Sequence, residues 1–284
     1  MKGDPFPARA YPALALDVEL PCIMGVLNTT PDSFSDGGRY LELDTAAQHA
    51  QQMARDGAVI IDIGGESTRP GSDPVPLDEE LRRTVPVIER LAPDVPAAIS
   101  IDTTKAEVAR RALDAGATLI NDVSALRFDA DLVHLVADRG CALCMMHMQG
   151  LPRTMQDDPQ YDDVVDDVCA FLEERLHFAV AHGVREEQVL LDPGIGFGKT
   201  AEHNLQLLRR LDRVAALGRP VLLGASRKRF LGAILGVEPR DRVIGTVATT
   251  TLGVLLGAAV VRVHDVRPNF EALRVTQAVL EAGA

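Results

Sequence analysis

Polar side chains suited to ligand binding follow short apolar runs at eight places in this chain. Asp102, Asn121 and Asp192 end three of these runs, and His264 follows Arg262 by two residues after the last. A carboxylate held at the end of a buried run loses solvation, and a ligand or a cation must offset that loss. Each residue alone could be a helix cap or a core hydrogen-bond anchor. Together they indicate one binding site for a polar ligand.

A pterin ring fits the carboxylates and the amide of this group. Its pyrimidinone edge presents an amino group and a ring N–H side by side, which one carboxylate accepts as a pair. An amide such as Asn121 satisfies a mixed donor and acceptor edge. Arg262 can lie flat on such a ring, and Met146 can supply a polarizable contact. The residues themselves therefore favour a pterin site.

A second part of the pattern indicates a phosphorylated group. Arg262 and His264 alternate along the last run, so both face one side, and the helix predicted from Asn269 would aim its amides at the same region. Asn28 and the loop TTPDSFSDGG add oxygen ligands and glycine hinges suited to a magnesium-bound diphosphate. DPGIGFGKT lacks the GxxxxGK[ST] spacing, so its glycines are interpreted as allowing close backbone approach to the ligand.

Eight strand and helix pairs are predicted to position these residues. The strands are predicted at 23–27, 58–63, 97–101, 118–120, 142–146, 189–191, 221–223 and 259–263. The helices are predicted at 44–55, 77–91, 106–115, 130–138, 162–181, 201–217, 240–257 and 269–282. Such alternation predicts βαβ units and a parallel sheet. In an eightfold (β/α) barrel the loops after the strands meet at one mouth, which is where the polar residues lie in this pattern.

The fold class predicted is therefore α/β, a single (β/α)8 TIM barrel with a short N-terminal extension. The 284 residues fit one barrel of about 250 residues. Residues 1–20 form the extension, 21–266 the barrel strands and site, and 267–284 the last helix. No segment has the composition of a linker, so one domain is expected.

The charge balance excludes some partners. A formal net charge of −12 argues against a nucleic-acid or anionic-membrane surface, because phosphates are bound through clustered Lys and Arg. The N-terminus has no apolar run typical of a secretory signal. The CxxC of Cys141 and Cys144 lies in a strand-like run, so buried core is favoured over a redox or metal pair. We expect a cytoplasmic protein.

The segment 243–261 contains no charged residue and approaches the length of a membrane span. Its glycines and threonines, and the strand that follows it directly, favour a barrel helix instead. A helix that is apolar on more than one face can cover the strands and also contact a second subunit. A homodimer and no membrane span are therefore expected.

Eight motifs, taken in order, resemble the dihydropteroate synthase family. They are NTTPDSFSDGG, GGESTRPG, ISIDT, INDV, MMHMQG, DPGIGFGK, GASRK and RVHDV, all within residues 22–266. Departures are mild: Thr29, Ile195 and Ala225 replace residues common in the family, and none removes a polar group. The resemblance implies a transferase of folate biosynthesis and a sulfonamide target. It would join 6-hydroxymethyl-7,8-dihydropterin diphosphate to 4-aminobenzoate and release pyrophosphate.

The resemblance also implies a role for each matching residue. The pterin pocket would comprise Asp102, Asn121, Met146, Asp192, Lys228 and Arg262. The aminobenzoate site would comprise Phe34, Thr68, Arg69, Pro70, Phe197 and Ser226. Asn28 would bind Mg²⁺, with Arg262 and His264 holding the diphosphate. The catalytic residues would be Asp102, Lys228 and Asp36.

The reduced pterin can stabilise positive charge on its exocyclic methylene, so departure of the diphosphate can precede attack by the arylamine. The protein then acts mainly by neutralising the leaving group. Two alternatives are a pterin-binding methyltransferase domain, which has no need for GGESTRPG or SRK, and a non-catalytic pterin-binding paralogue. The paralogue would be expected to lose loop residues such as Asp36, Thr68 or Arg69, all present here.

Overall fold

Eight parallel strands close into a barrel in the computed structural model, which describes residues 11–29, 39–68 and 71–282. Each strand pairs with the next along the chain, and β8 pairs with β1. The strands are β1 Cys22–Asn28, β2 Ala58–Gly64, β3 Ala98–Asp102, β4 Leu119–Asp122, β5 Ala142–Met146, β6 Val189–Asp192, β7 Val221–Leu223 and β8 Ala258–Val263. The predicted (β/α)8 fold is confirmed.

Ten α-helices cover the barrel within the described residues. They are α1 Arg39–Arg55, α2 Leu77–Leu91, α3 Ala106–Asp114, α4 Asp131–Arg139, α5 Val164–Ala181, α6 Ala201–Arg209, α7 Leu211–Ala215, α8 Arg229–Leu235, α9 Val243–Leu255 and α10 Val266–Glu281. Every one of the eight predicted helices has a counterpart, with ends shifted by up to a few residues. The crossovers explain the parallel sheet.

Three differences from the predicted helices are accompanied by specific side-chain contacts. The predicted helix 201–217 is broken at Arg210, whose guanidinium binds the Asp163 carboxylate at 2.7 and 3.0 Å. Helix α8 was not predicted, and it buries Phe230 and Leu231. Helix α10 starts at Val266 instead of near Asn269, which lies inside the first turn and donates to the Asp265 carbonyl.

Side chains inside the barrel form an apolar lower layer. We call the following residues the lower layer: Cys22, Met24, Ile60, Leu119, Ala142, Cys144, Leu190, Leu222 and Val260. Leu14, Leu16, Val18 and Leu20 of the N-terminal extension pack against it from below. Side chains that alternate with these along the strands face outward and pack against the helices. The expectation of a buried CxxC holds for Cys144, whereas Cys141 precedes β5 and is half-buried.

The uncharged segment 243–261 is divided between α9 and β8. In the part of the chain that the structure describes, no helix combines the length and the apolar character needed to cross a bilayer.

Candidate functional site

Two residues beyond the lower layer, the inward face of the strands becomes polar. Asp62 follows Ile60 on β2, Asn121 follows Leu119 on β4, Asp192 follows Leu190 on β6 and Arg262 follows Val260 on β8. Asp102 on β3 and Met146 on β5 complete this ring. Because successive side chains alternate between faces, residues two apart share the inward face. We call these six residues the mouth layer.

Arg262 is the centre of a buried ionic network in the mouth layer. Its Nε donates to Asp62 Oδ2 at 2.6 Å, and its Nη2 donates to Asp102 Oδ2 at 2.9 Å. Asn121 Nδ2 donates to the same Asp62 oxygen at 3.1 Å, and the Ser100 hydroxyl donates to Asp62 Oδ1 at 2.5 Å. The network holds Arg262 by its edge. It also fixes Asn121 and Asp102 relative to each other.

Burial makes two carboxyl groups of the mouth layer weaker acids than usual. Burial raises the pKa of Asp102 to about 7, against the opposing charge of Arg262. Burial likewise raises the pKa of Asp192 to about 6, against the Gly194 N–H bonded to its Oδ1 at 2.7 Å and the charge of Lys228. Both groups therefore change charge close to neutral pH. A ligand that donates hydrogen bonds would favour their ionised forms.

Lys228 and Phe197 form one wall beside Asp192. Lys228 is the N-cap residue of α8, and its Nζ lies 4.1 Å from the centroid of the Phe197 ring. Phe197 also packs against an apolar cluster of Val123, Met146, Met148 and Met155. The structure thus brings together an ammonium, an aromatic ring and a thioether, as a flat and partly anionic ligand requires.

The loops after β7 and β8 are joined by side-chain contacts. Ser226 Oγ lies 3.0 Å from His264 Nδ1, and the His264 backbone N–H donates to Ser226 Oγ at 3.2 Å. The next residue, Arg227, has a left-handed backbone (φ 56°) and pairs with Asp265 through two bonds of 2.6 and 2.9 Å. A residue predicted to bind the diphosphate, His264, thus contacts one predicted to bind aminobenzoate, Ser226.

The remaining predicted residues lie after β1 and β2. Asn28 ends β1 opposite Gly64 and is half-buried, and the Thr29 hydroxyl donates to the Gly64 carbonyl at 3.1 Å. Thr68 is partly exposed. Asp36, Phe34, Arg69 and Pro70 lie outside the described residues, so their predicted roles stay predictions.

Sequence reasoning missed four polar residues of this region: Asp62, Ser100, His147 as a site residue, and the buried Lys199. For Asp62 and Ser100 a signal existed, because each occupies an inward position of a strand that was interpreted as apolar throughout. For Lys199 no signal existed, since the sequence alone does not distinguish a buried lysine from an exposed one.

The comparisons with known proteins agree with this geometry. The family described as "Pterin binding enzyme" matches residues 24–264. The dihydropteroate synthase of Synechocystis sp. is 48% identical over 258 residues, which cover 90% of this chain and 89% of that protein. The dihydropteroate synthase of Yersinia pestis, solved with a sulfonamide drug complex, is 45% identical with a TM-score of 0.89. It covers 96% of this chain and 98% of its own.

A second solved structure, the Xanthomonas albilineans dihydropteroate synthase with 4-aminobenzoic acid, is 48% identical with a TM-score of 0.87. The match covers 92% of this chain and 93% of that one. These proteins are what the chain resembles along nearly its whole length.

Proposed function

The chain belongs to the dihydropteroate synthase family, and we propose that it joins 6-hydroxymethyl-7,8-dihydropterin diphosphate to 4-aminobenzoate. The products are 7,8-dihydropteroate and pyrophosphate. The observation that carries this proposal is the mouth layer, in which Asp102, Asn121 and Asp192 are gathered around Arg262 at the carboxyl ends of the strands. Active sites of (β/α)8 barrels lie at this end.

The proposed pterin pocket uses the predicted residues Asp102, Asn121, Met146, Asp192, Lys228 and Arg262. Asp192 Oδ1 accepts the Gly194 N–H and keeps a second lone pair, so the two carboxylate oxygens can accept from the amino group and ring N–H of the pterin. The fixed amide of Asn121 reads the mixed edge, since Asp62 holds its Nδ2. Met146 and the face of Arg262 contact the ring.

The reaction proceeds by loss of the diphosphate before attack. The methylene C–O bond breaks with its electron pair leaving on the diphosphate. The lone pair of the arylamine nitrogen then forms the new C–N bond, and that nitrogen releases a proton to the pyrophosphate or to water. Arg262 and His264 hold the leaving group, and Asp102 offsets the growing positive charge. Lys228 and Asp36 complete the proposed catalytic set, and Asp36 lies outside the described residues.

We propose Mg²⁺ as the cofactor, with Asn28 as a protein ligand. Among the described residues no group of three or more His, Cys, Asp or Glu side chains is arranged to hold a metal. Mg²⁺ commonly takes only one or two protein ligands beside substrate phosphates and water, so the single amide oxygen of Asn28 fits. When bound, the ion would neutralise charge on the diphosphate.

Chelation tests the metal. EDTA should stop turnover and added Mg²⁺ should restore it, whereas binding of a pterin without phosphates should stay unchanged. Full turnover in EDTA would contradict the role of Asn28.

The proposed aminobenzoate site uses Thr68, Phe197 and Ser226 together with Phe34, Arg69 and Pro70. The benzoate carboxylate would accept from the Ser226 hydroxyl and nearby backbone amides. Support comes from the relatives that bind 4-aminobenzoic acid and a sulfonamide drug. A sulfonamide mimics aminobenzoate in shape and charge, so we also propose that sulfonamides compete at this site.

Pyrophosphate release tests the proposed reaction against its alternatives. Formation of dihydropteroate with release of pyrophosphate should require both the pterin diphosphate and 4-aminobenzoate. A non-catalytic paralogue would bind the pterin without releasing pyrophosphate, and a methyltransferase domain would form no dihydropteroate. Either outcome would overturn the proposal.

We propose a homodimer built on α8, α9 and α10. Large apolar side chains on these helices are exposed: Ile234, Leu235, Ile244, Leu252, Val275 and Val279. Ile244 is 78% exposed on a helix without charge. Several exposed large apolar side chains on neighbouring helices are typical of a subunit interface. Light scattering of the wild type should show a dimer at micromolar concentration, and Ile244→Glu should show a monomer; a monomeric wild type would contradict this interface.

We also propose one domain in a cytoplasmic location. Four free cysteines, Cys22, Cys141, Cys144 and Cys169, are consistent with a reducing compartment. A single cooperative calorimetric transition of the full chain would support one domain, and two separable transitions would contradict it.

A further inference from the structure

Lys199 is a buried lysine that forms no ion pair with any carboxylate of the described residues. It lies at the end of the β6–α6 turn, which we define as residues 193–200, and only 3% of its surface is exposed. Its Nζ contacts His147 Nδ1, the Gly194 carbonyl and the Phe197 carbonyl, each at 2.9 Å, with the His147 carbonyl further away at 3.4 Å. An ammonium has three donors, so all of them have partners here.

Burial sets the protonation states of His147 and Lys199. Burial, followed by the charge of Lys199, lowers the pKa of His147 to about 2, so the imidazole is neutral and accepts at Nδ1. Burial lowers the pKa of Lys199 to about 7, against the attraction of Asp192. A buried cation without a carboxylate partner is costly, and a merely structural position could be filled by an apolar side chain.

The two residues whose carbonyls lie 2.9 Å from Lys199 Nζ, Gly194 and Phe197, each contact a candidate pterin ligand. The Gly194 N–H donates to Asp192 Oδ1 at 2.7 Å. The Phe197 ring lies beneath the Lys228 ammonium at 4.1 Å. Lys199 forms no hydrogen bond with the side chain of Asp192 or Lys228, so it acts on both through the backbone of the turn.

The β6–α6 turn lies in close contact with the segment after β5. Gly194 and Gly198 have left-handed backbones with φ of 68° and 61°. A Cβ at Gly194 would collide with the His147 carbonyl oxygen, and one at Gly198 would collide with that of Gln149. The turn is therefore packed backbone to backbone on the segment after β5, with Lys199 bonded to both sides of this contact.

We propose that Lys199 is a positioning residue, which holds the β6–α6 turn against the segment after β5 so that Asp192 and Lys228 face the pterin. This inference rests on the proposed function, since it takes the pterin to lie at Asp192 and Lys228. It adds a residue that touches neither substrate. Replacing Lys199 should weaken pterin binding in a protein that still folds.

The test compares Lys199→Met with Tyr161→Phe. Tyr161 donates to the Gly198 carbonyl at 2.7 Å, so its variant removes a hydrogen bond from the same turn without touching Gly194 or Phe197. Calorimetric titration with a phosphate-free pterin should show affinity lost by about tenfold or more for Lys199→Met, because small misplacements of binding groups have large effects. Tyr161→Phe should bind within about twofold of the wild type, since that hydrogen bond orients no pterin ligand.

The pH profile of pterin affinity separates positioning from stability. The charged groups facing Asp192 are Lys228, Arg262 and Lys199, and together with the Gly194 N–H they lower its pKa. The Cys144 thiol below it is neutral, since burial raises its pKa. Loss of Lys199 removes one cation and loosens the Gly194 bond. The midpoint of the affinity profile should therefore move to higher pH in Lys199→Met and stay in place in Tyr161→Phe.

Lys199→Arg keeps the charge, so the pH midpoint of its affinity profile should lie between those of the wild type and Lys199→Met. If Lys199→Met does not fold, Lys199→Gln is titrated instead, because it keeps a donor without the charge. Wild-type affinity and midpoint in the uncharged variant would overturn the role of Lys199 while leaving the proposed function intact. A wild-type protein that binds no pterin would overturn both.

Discussion

The two layers inside the barrel come from the same strands and the same face, yet they have opposite character. In the lower layer, Leu119, Leu190 and Val260 are fully buried and touch apolar neighbours. Two residues further on, Asn121, Asp192 and Arg262 are also largely buried but are polar or charged. The strand geometry is unchanged between the layers, so the fold does not demand charge in the mouth layer. Only a ligand does.

The two layers make different contributions: the lower layer stabilises the fold, and the mouth layer provides the proposed binding groups. The lower layer excludes water, and its contribution is apolar burial. The mouth layer buries Asp62, Asp102 and Asp192, and this burial raises the pKa values of Asp102 and Asp192 despite the cations nearby. Substitutions in the lower layer should therefore lower mainly the free energy of unfolding, and substitutions in the mouth layer should weaken mainly pterin binding.

The largest effect is expected at Arg262, which contributes both to stability and to turnover. Arg262→Met leaves Asp62 and Asp102 buried without their cation, which should lower the free energy of unfolding by about 3 to 5 kcal/mol and abolish turnover. Urea unfolding and the pyrophosphate assay measure the two losses. A stable Arg262→Met would show that the network contributes little to the fold.

Leu190→Ala isolates the lower layer. The side chain is fully buried, so the variant should lose about 2 to 5 kcal/mol of unfolding free energy through lost burial and the cavity left behind. Leu222→Ala, on another strand of the same layer, is the matched variant. Pterin affinity of the folded protein should stay within about twofold of wild type, since no mouth-layer hydrogen bond is lost. A large loss of affinity would break the separation of the layers.

Asp192→Asn isolates the mouth layer. The amide replaces one acceptor with a donor that faces the pterin's own donors, so binding should weaken by about 1 to 3 kcal/mol or more. Calorimetric titration measures the loss, and thermal unfolding should show no comparable destabilisation. Asp138→Asn, an exposed carboxylate on α4, serves as the control. Unchanged pterin affinity in Asp192→Asn would remove this residue from the pocket.

The contrast between the layers also explains what the sequence could predict. The alternation of strands and helices is local, and so the barrel was predicted correctly, as was the position of Asp102, Asn121 and Asp192 near the carboxyl ends of their strands. Asp62 was missed because it lies inside a strand whose neighbours Ile61 and Ile63 are apolar. The break at Arg210 and the burial of Lys199 depend on contacts with residues distant in sequence, which no local pattern contains.

A pH titration should move affinity and stability in opposite directions. Burial raises the pKa of Asp192 to about 6, so protonation below that pH removes the acceptor and weakens pterin binding by up to about tenfold per pH unit. The raised pKa values of Asp192 and Asp102, about 6 and about 7, mean that the folded state holds protons which the unfolded chain has released. That contribution to stability is complete below about pH 4 and is lost as the pH rises through 6 to 7.

Calorimetric titration and thermal unfolding between about pH 5.5 and 7.5 measure the two trends. Asp192→Asn should flatten the affinity profile near pH 6. Pterin affinity that falls as the pH rises would contradict the requirement for an ionised Asp192.

The smallest effect is expected at Ser226 in the loop after β7, which with His264 after β8 we call the rim. Ser226→Ala removes the hydroxyl that joins His264 Nδ1 and the His264 backbone N–H. The variant also removes the proposed hydrogen bond from Ser226 to the benzoate carboxylate, with a net effect of about 0.5 to 1.5 kcal/mol, so the KM for 4-aminobenzoate should rise several-fold. Ser226→Thr keeps the hydroxyl and is the matched variant.

Steady-state kinetics with each substrate varied in turn decide which pocket Ser226 serves. A rise confined to aminobenzoate supports the proposed site, and Ser226→Phe should then raise the sulfonamide inhibition constant more than that KM, because the bulky ring crowds the larger inhibitor. The contact with His264 offers the opposite outcome. If the KM for the pterin diphosphate alone rises, Ser226 acts through His264 on the leaving group, and the rim belongs with the mouth layer and not with a second-substrate site.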